Sequence, residues 1–140
     1  MPNTFPKHNL ETAPEKSKPL LRQLLEQSGP NGFYSVTAES PETLTAYAML
    51  HKAFMASSFT NEEKTVIWQT INVENQCHFC VPAHTYMAKA MKIDKAVSDA
   101  LRNETALPTA RLEALRDFTL LMLRNHGNAS DAEISKFLSA

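Results

Sequence analysis

Glycine is scarce in this chain, with three among 140 residues. The shortage favours helices over turn-rich β folds. Long apolar runs are also missing. None approaches the length needed to span a bilayer, and none marks the N-terminus, Met1-Pro2-Asn3-Thr4-Phe5-Pro6-Lys7-His8, as a signal peptide. No membrane partner is expected, and the expected compartment is the cytoplasm. Neither sign of charge dominates. The net charge is −1, with no basic stripe and no acidic tail, so no nucleic-acid surface is expected. Cysteine occurs only twice, at Cys77 and Cys80, so a framework of disulfides is excluded. A bridge between these two would enclose two residues, where loop closure stabilises least. A structural disulfide is also disfavoured in the cytoplasm. A bond there reads better as a reversible redox pair than as a staple.

The chemistry-bearing residues are concentrated in one stretch, Glu74-Asn75-Gln76-Cys77-His78-Phe79-Cys80-Val81-Pro82-Ala83-His84. On a helix, positions 77, 80 and 84 are i, i+3 and i+7 and share a face. Two thiols beside an imidazole can carry redox or nucleophilic chemistry, or can hold a metal. A structural zinc site takes four ligands, and there is no second C-x-x-C. No metal and no cofactor are expected. Pro82 limits where the following helix can be regular, because a proline deep inside removes a hydrogen bond and clashes with the preceding turn. The regular part should start between Cys77 and Val81. That puts Cys80 in or near the first turn, where the dipole favours a thiolate.

Along the rest of the chain, residues 1–18 hold Pro2, Pro6 and Pro14 among polar residues and read as an extended arm. Residues 19–140 read as one all-helical domain. Pro19 opens a helix with Leu20, Leu21, Leu24 and Leu25 as its stripe, and Ser28 to Gly32 reads as a loop. Ser40-Pro41 starts a helix with Leu44, Tyr47, Ala48, His51 and Met55 on one face, widened by Leu50 and Phe54. Thr60-x-x-Glu63 is a capping box that opens the next helix, with Val66, Ile67, Thr70, Ile71 and Val73 facing inward. Asp94 caps a short helix to about Arg102. Pro108-Thr109 opens a long one carrying Leu112, Leu115, Phe118, Leu121 and Met122, ended by Gly127. Ser130-x-x-Glu133 opens a last helix to Leu138. No segment alternates with period two, and the fold class is all-α.

The motif Glu74-x-x-Cys77-x-Phe79-Cys80-x-x-x-His84, with Ala38 to Tyr47 and Thr60 to Ile67 upstream, resembles the AhpD-like alkylhydroperoxidase branch of the carboxymuconolactone decarboxylase family. The similarity covers roughly residues 19–140. It implies an AhpD-like helical bundle, oligomeric as a homo-trimer or hexamer. It also implies a peroxidase that reduces alkyl hydroperoxides at the expense of a thiol or dithiol reductant. Cys80 would be the peroxidatic thiol, Cys77 the resolving thiol and His84 the base, with Glu74 in the proton relay. Some members place that glutamate twelve residues before the first cysteine, where this chain has Thr65. Many continue past the position of Ala140, which leaves a short member or a truncated one. The spacing gives a further expectation: Cys80, four residues from His84 and near the helix start, should have the lower thiol pKa and attack first.

Each singled-out residue also has a plainer reading. The cysteines could be buried small hydrophobes. Glu74 could be a solvated carboxylate at a helix end. Glu63 is the capping-box partner of Thr60. His78 lies about a quarter-turn off the cysteine face, as an auxiliary or surface residue. His51 is a core histidine whose helix could also reach the site. His126 suits the last turn of its helix, and His8 lies in the arm. Met49, Met55, Met87, Met91 and Met122 are core fillers, and Trp68 is half-buried. Two further functions stay open: a non-catalytic helical oligomer acting as a redox sensor or docking module, and a lactone decarboxylase, whose chemistry has no call for a C-x-x-C pair.

Overall fold

The structure, a computed structural model, describes residues 5–140. The expectations for Met1 to Thr4 lie outside the described residues. Among the described residues there are eight helices and no strand, so the protein is all-α. In chain order they are α1 (Lys18–Ser28), α2 (Gly32–Thr37), α3 (Pro41–Met55), α4 (Asn61–Glu74), α5 (Cys80–Ala90), α6 (Lys95–Asn103), α7 (Ala110–Arg124) and α8 (Asp131–Leu138). Contacts divide the chain into two compact units, one ending at Ser57 and one from Ser58 to Ala140. The segment 19–140 is therefore described in two parts.

In the first unit, α1 places Leu21 in a small core with Ala13, Ala38 and Leu44, against which Leu20, Leu24 and Leu25 pack. The leucine stripe of α1 thus faces inward as its spacing requires. Residues 5–17 form no helix. They are nevertheless built into the unit, because Ala13 and Ser17 are buried and Ser17 Oγ donates to the Ala38 carbonyl at 2.7 Å. The short helix α2 replaces part of the expected loop. Asn31 is its cap, with Oδ1 accepting from Phe33 N–H at 3.0 Å and Tyr34 N–H at 3.4 Å. Gly32 therefore begins a helix rather than ending a turn. On α3 the apolar face is narrower than expected. Leu44 is buried and Tyr47, Ala48, His51 and Phe54 are half-buried, but Leu50 is 72% and Met49 67% exposed. Met49 is thus no core filler. His51 stacks on Tyr47, and burial holds its pKa below the ordinary histidine value.

In the second unit, α4 is the centre, packed by α5, α6 and α7, while α8 packs on α7. Its core is Val66 of α4, Val97, Ala100 and Leu101 of α6, Leu107, and Leu112 and Leu115 of α7. Both expected capping boxes are present. Thr60 and Glu63 exchange side-chain and backbone hydrogen bonds at the start of α4, and Ser130 and Glu133 do so at α8. Glu63 also pairs with Arg111 of α7 at 2.9 Å, which ties the central helix to its largest neighbour. The hydrogen bond from Thr60 N–H, followed by the guanidinium, holds the Glu63 carboxyl below the ordinary glutamate range.

Four helices here stop without glycine at the turning residue. After α4, α5, α6 and α7 the chain passes through Gln76, Lys92, Glu104 and His126, each with φ between 50° and 58°. In each case a backbone N–H bonds to a helical carbonyl five residues back: Cys77 to Asn72, Ile93 to Ala88, Thr105 to Ala100 and Gly127 to Met122. This closure satisfies carbonyls that the helix end would otherwise leave open. His126 therefore lies beyond the last turn of α7, as the left-handed residue of the stop. Gly127 follows it rather than ending the helix itself.

Candidate active site

The site is built on the connection from α4 to α5. Asn75 caps α4 and Gln76 turns left-handed. Gln76 N–H then donates to the Val73 carbonyl at 2.9 Å and Cys77 N–H to the Asn72 carbonyl at 3.0 Å. Cys77 is thereby fixed to the end of α4 by its own backbone. The regular part of α5 begins at Cys80, inside the interval that Pro82 allowed. Hydrogen bonding starts the turn earlier. The Cys77 carbonyl accepts from Val81 N–H at 3.1 Å, and Cys77 Sγ accepts from Cys80 N–H at 3.1 Å. That is the arrangement of a helix cap with sulfur in place of oxygen. Pro82 has no N–H for the His78 carbonyl, and the ladder resumes with Ala83 N–H on the Phe79 carbonyl at 3.3 Å.

The two cysteines are joined by a disulfide, with Cα atoms 5.2 Å apart. Both are half-buried, so their sulfurs lie in a shallow turn and not in the core. The N–H at the helix start is aimed at the sulfur of Cys77 and not at that of Cys80, for which the sequence position predicts the helix-start effect. His84 follows on α5, one turn after Cys80. Its ring meets Trp68 of α4 edge-on at 5.1 Å and 74°, and its Nδ1 is buried. Trp68 is half-buried, as expected, and sets the attitude of the imidazole. His78 is exposed.

Glu74 is the last residue of α4, and Arg124, the last of α7, grips it with two hydrogen bonds, Nε to Oε1 at 2.6 Å and a terminal guanidinium nitrogen to Oε2 at 2.8 Å. The hydrogen bonds and charge of Arg124 hold the Glu74 carboxyl below its ordinary range. A relay carboxylate has to take up a proton, and this pairing opposes that. The ion pair also offsets the unfavourable placing of an anion at a helix C-terminus. Thr65, at the alternative relay position, is buried and donates to the Asn61 carbonyl at 2.9 Å. It brings no carboxylate.

No family model and no curated protein matches this chain.

Sequence reasoning passed over Gln69. It is 1% exposed on α4, and its amide donates to the Val81 carbonyl at 3.0 Å and to Thr85 Oγ1 at 2.9 Å. Its Oε1 accepts from Asn72 at 3.1 Å. One buried amide thus joins α4 to the first turns of α5, just behind the disulfide. A polar residue inside an otherwise inward-facing stretch was the only signal in the sequence. A cleft of about 190 Å³ lies beside Glu74, lined also by Thr70, Glu104, Arg116 and Asp117. Neither cysteine lines it. Among the described residues, no three His, Cys, Asp or Glu side chains converge in a way that could hold a metal.

A dithiol–disulfide pair at a helix start can accept and release two electrons. A peroxide can oxidise the pair through a sulfenic acid, and an external thiol can reopen it by exchange.

Proposed function

We propose that the protein is a thiol-dependent peroxidase, or a closely related disulfide reductase, working through Cys77 and Cys80. The observation that carries this reading is the bond between the chain's two cysteines, set in a half-exposed helix-start turn with an imidazole on the next turn. In the reaction, Cys80 in its thiolate form attacks a hydroperoxide oxygen. The O–O bond breaks, the alcohol leaves with a proton and Cys80 becomes a sulfenic acid. Cys77 then attacks that sulfur and expels water, forming the disulfide. His84 takes up the Cys80 proton as base. Two electrons and two protons from a thiol or dithiol reductant restore the pair. Glu74 stays outside the chemistry as the ion-pair partner of Arg124.

Apolar side chains left exposed on the two units, including Met49 and Leu50 of α3 and Tyr86 of α5, support a homo-oligomer, a trimer or hexamer in the AhpD-like arrangement. Among the described residues no helix is long and apolar enough to cross a membrane. We place the protein in the cytoplasm, where reducing thiols are at hand.

The test is turnover of an alkyl hydroperoxide with a dithiol reductant, followed in wild type and three variants. Cys80→Ser should lose the reaction. Cys77→Ser should react once and stop at a sulfenic acid that dimedone traps. His84→Ala should slow the reaction about 10²- to 10⁴-fold and recover in part at higher pH. A wild type inert to peroxides that still cycles between dithiol and disulfide would replace the enzyme with a redox sensor.

A further inference from the structure

Cys77 is held at three points besides the disulfide itself. Its N–H bonds to the Asn72 carbonyl, its carbonyl accepts from Val81 N–H, and its sulfur accepts from Cys80 N–H. Among the described residues no backbone N–H reaches the Cys80 sulfur. When the bond opens, Cys77 Sγ is therefore already seated on a helix-start N–H. A thiolate accepts such a bond far better than a disulfide sulfur does, and a helix N-terminus favours an anion. The gain falls on Cys77 and only after reduction.

We propose that Cys77 is the more acidic sulfur of the resting reduced pair, Cys80 ionising only as His84 takes its proton during the attack on peroxide, and that Cys77 is the leaving group when the disulfide is reopened, so that the incoming thiol bonds to Cys80. This rests on the redox reading above. The exchange balances as follows. A reductant thiolate attacks Cys80 Sγ, the Cys77–Cys80 bond breaks, and its electron pair leaves on Cys77. The second thiolate of a dithiol reductant then attacks the reductant's own sulfur and releases Cys80. Leaving-group stability governs which sulfur departs, because the lower-pKa thiol leaves faster. In the forward direction the same Cys77 thiolate is ready to close on the Cys80 sulfenic acid. The charged groups around the turn do not reverse the choice. Glu74 is bound to Arg124, His78 is exposed, and Lys95 and Asp99 of α6, which packs on α5, pair with each other. His84 lies one turn beyond Cys80, on the peroxide side of the chemistry.

The experiment measures both thiols directly. Reduced Cys80→Ser and Cys77→Ser are alkylated with iodoacetamide across pH 4 to 10, and each profile gives one thiol's titration. Cys77 should titrate at least about one unit below Cys80, roughly a tenfold larger thiolate fraction near neutrality. Oxidised wild type is also treated with excess glutathione, quenched with N-ethylmaleimide and mapped by peptide mass spectrometry. Glutathione should lie on Cys80 and maleimide on Cys77. Glutathione on Cys77, or a lower titration for Cys80, would overturn the proposal whether or not peroxide turns over. The expected labelling in a protein inert to peroxides would leave the proposal standing and sink the peroxidase reading alone.

Discussion

Replacing Gln69 should loosen the start of α5 more than any surface change near the cysteines. Gln69→Ala removes three hydrogen bonds, to the Val81 carbonyl, to Thr85 Oγ1 and from Asn72. At about 1 kcal/mol net for each, the loss is about 3 kcal/mol. The side chain is 1% exposed, so a cavity remains that adds about 1 kcal/mol more. Gln69→Leu fills most of that space. It also orphans little, because the Val81 carbonyl keeps the Thr85 hydroxyl at 2.7 Å and Asn72 is half-exposed. Its cost should be about 1–2 kcal/mol. Gln69→Glu places a carboxylate against a carbonyl and should be the worst near neutrality, recovering as pH falls and the acid protonates. Urea unfolding followed by the fluorescence of Trp68, the only tryptophan and the adjacent residue, measures all three. Hydrogen exchange should show the amides of α5 opening first. If Gln69→Ala costs under about 1 kcal/mol, or if α5 exchanges as in wild type, the amide is not what holds the turn.

Three further outcomes follow from the same geometry. Glu63 has a folded pKa below its unfolded one, so the stability it contributes is full above the unfolded glutamate value and is lost as pH falls through the folded one. Glu63→Gln should therefore cost about 1 kcal/mol at pH 7, discounted for the solvent around Arg111, and the gap to wild type should narrow in urea titrations as pH falls below the ordinary glutamate range and through the lowered folded value. Glu74→Gln should leave the peroxide rate within about twofold, and a loss of about 10²-fold would restore it to the relay. Purified protein should carry far less than one zinc per chain and keep its fold in chelator by circular dichroism. His78 and His84 have a spacing that zinc sites also use, so stoichiometric zinc whose removal unfolds the protein would favour a structural metal.

What the sequence made legible was local. Thr60-x-x-Glu63, Ser130-x-x-Glu133 and Ser40-Pro41 mark helix starts because each cap is satisfied within four residues, and all three are in place. Pro82 bounded the start of α5 for the same reason. The failures are longer-range or run against the usual residue choice. Gln69 finds its partners at Val81 and Thr85, on the next helix, and Glu74 finds Arg124 fifty residues away. Neither pairing has a spacing that a single sequence can announce. Leu50 was placed inward because its helix is apolar nearly all round, and a pattern without contrast cannot say which side is covered. α2 was hidden because Gly29, Pro30 and Gly32 read as a loop, while Asn31 acts as a cap.

The turn at Gln76 shows why the roles of the two sulfurs were harder to read than the motif itself. Glycine is the usual residue for a left-handed helix stop, and this chain, with few glycines, uses Gln76 with φ 50° instead. From sequence alone the two cysteines and His84 read as three positions along one helical face. The stop at Gln76 separates them. Cys77 belongs to the end of α4 by its backbone and caps α5 by its sulfur, while Cys80 is the first regular residue of α5. Spacing to His84 had favoured Cys80 as the stabilised thiolate, but a backbone N–H can only serve the sulfur that folds back over it. That geometry gives the helix-start N–H to Cys77, while His84 stays one helical turn beyond Cys80. Under the proposed peroxidase reading, two different devices thus serve two thiols in one motif, one acting when peroxide is attacked and the other when the disulfide is reopened.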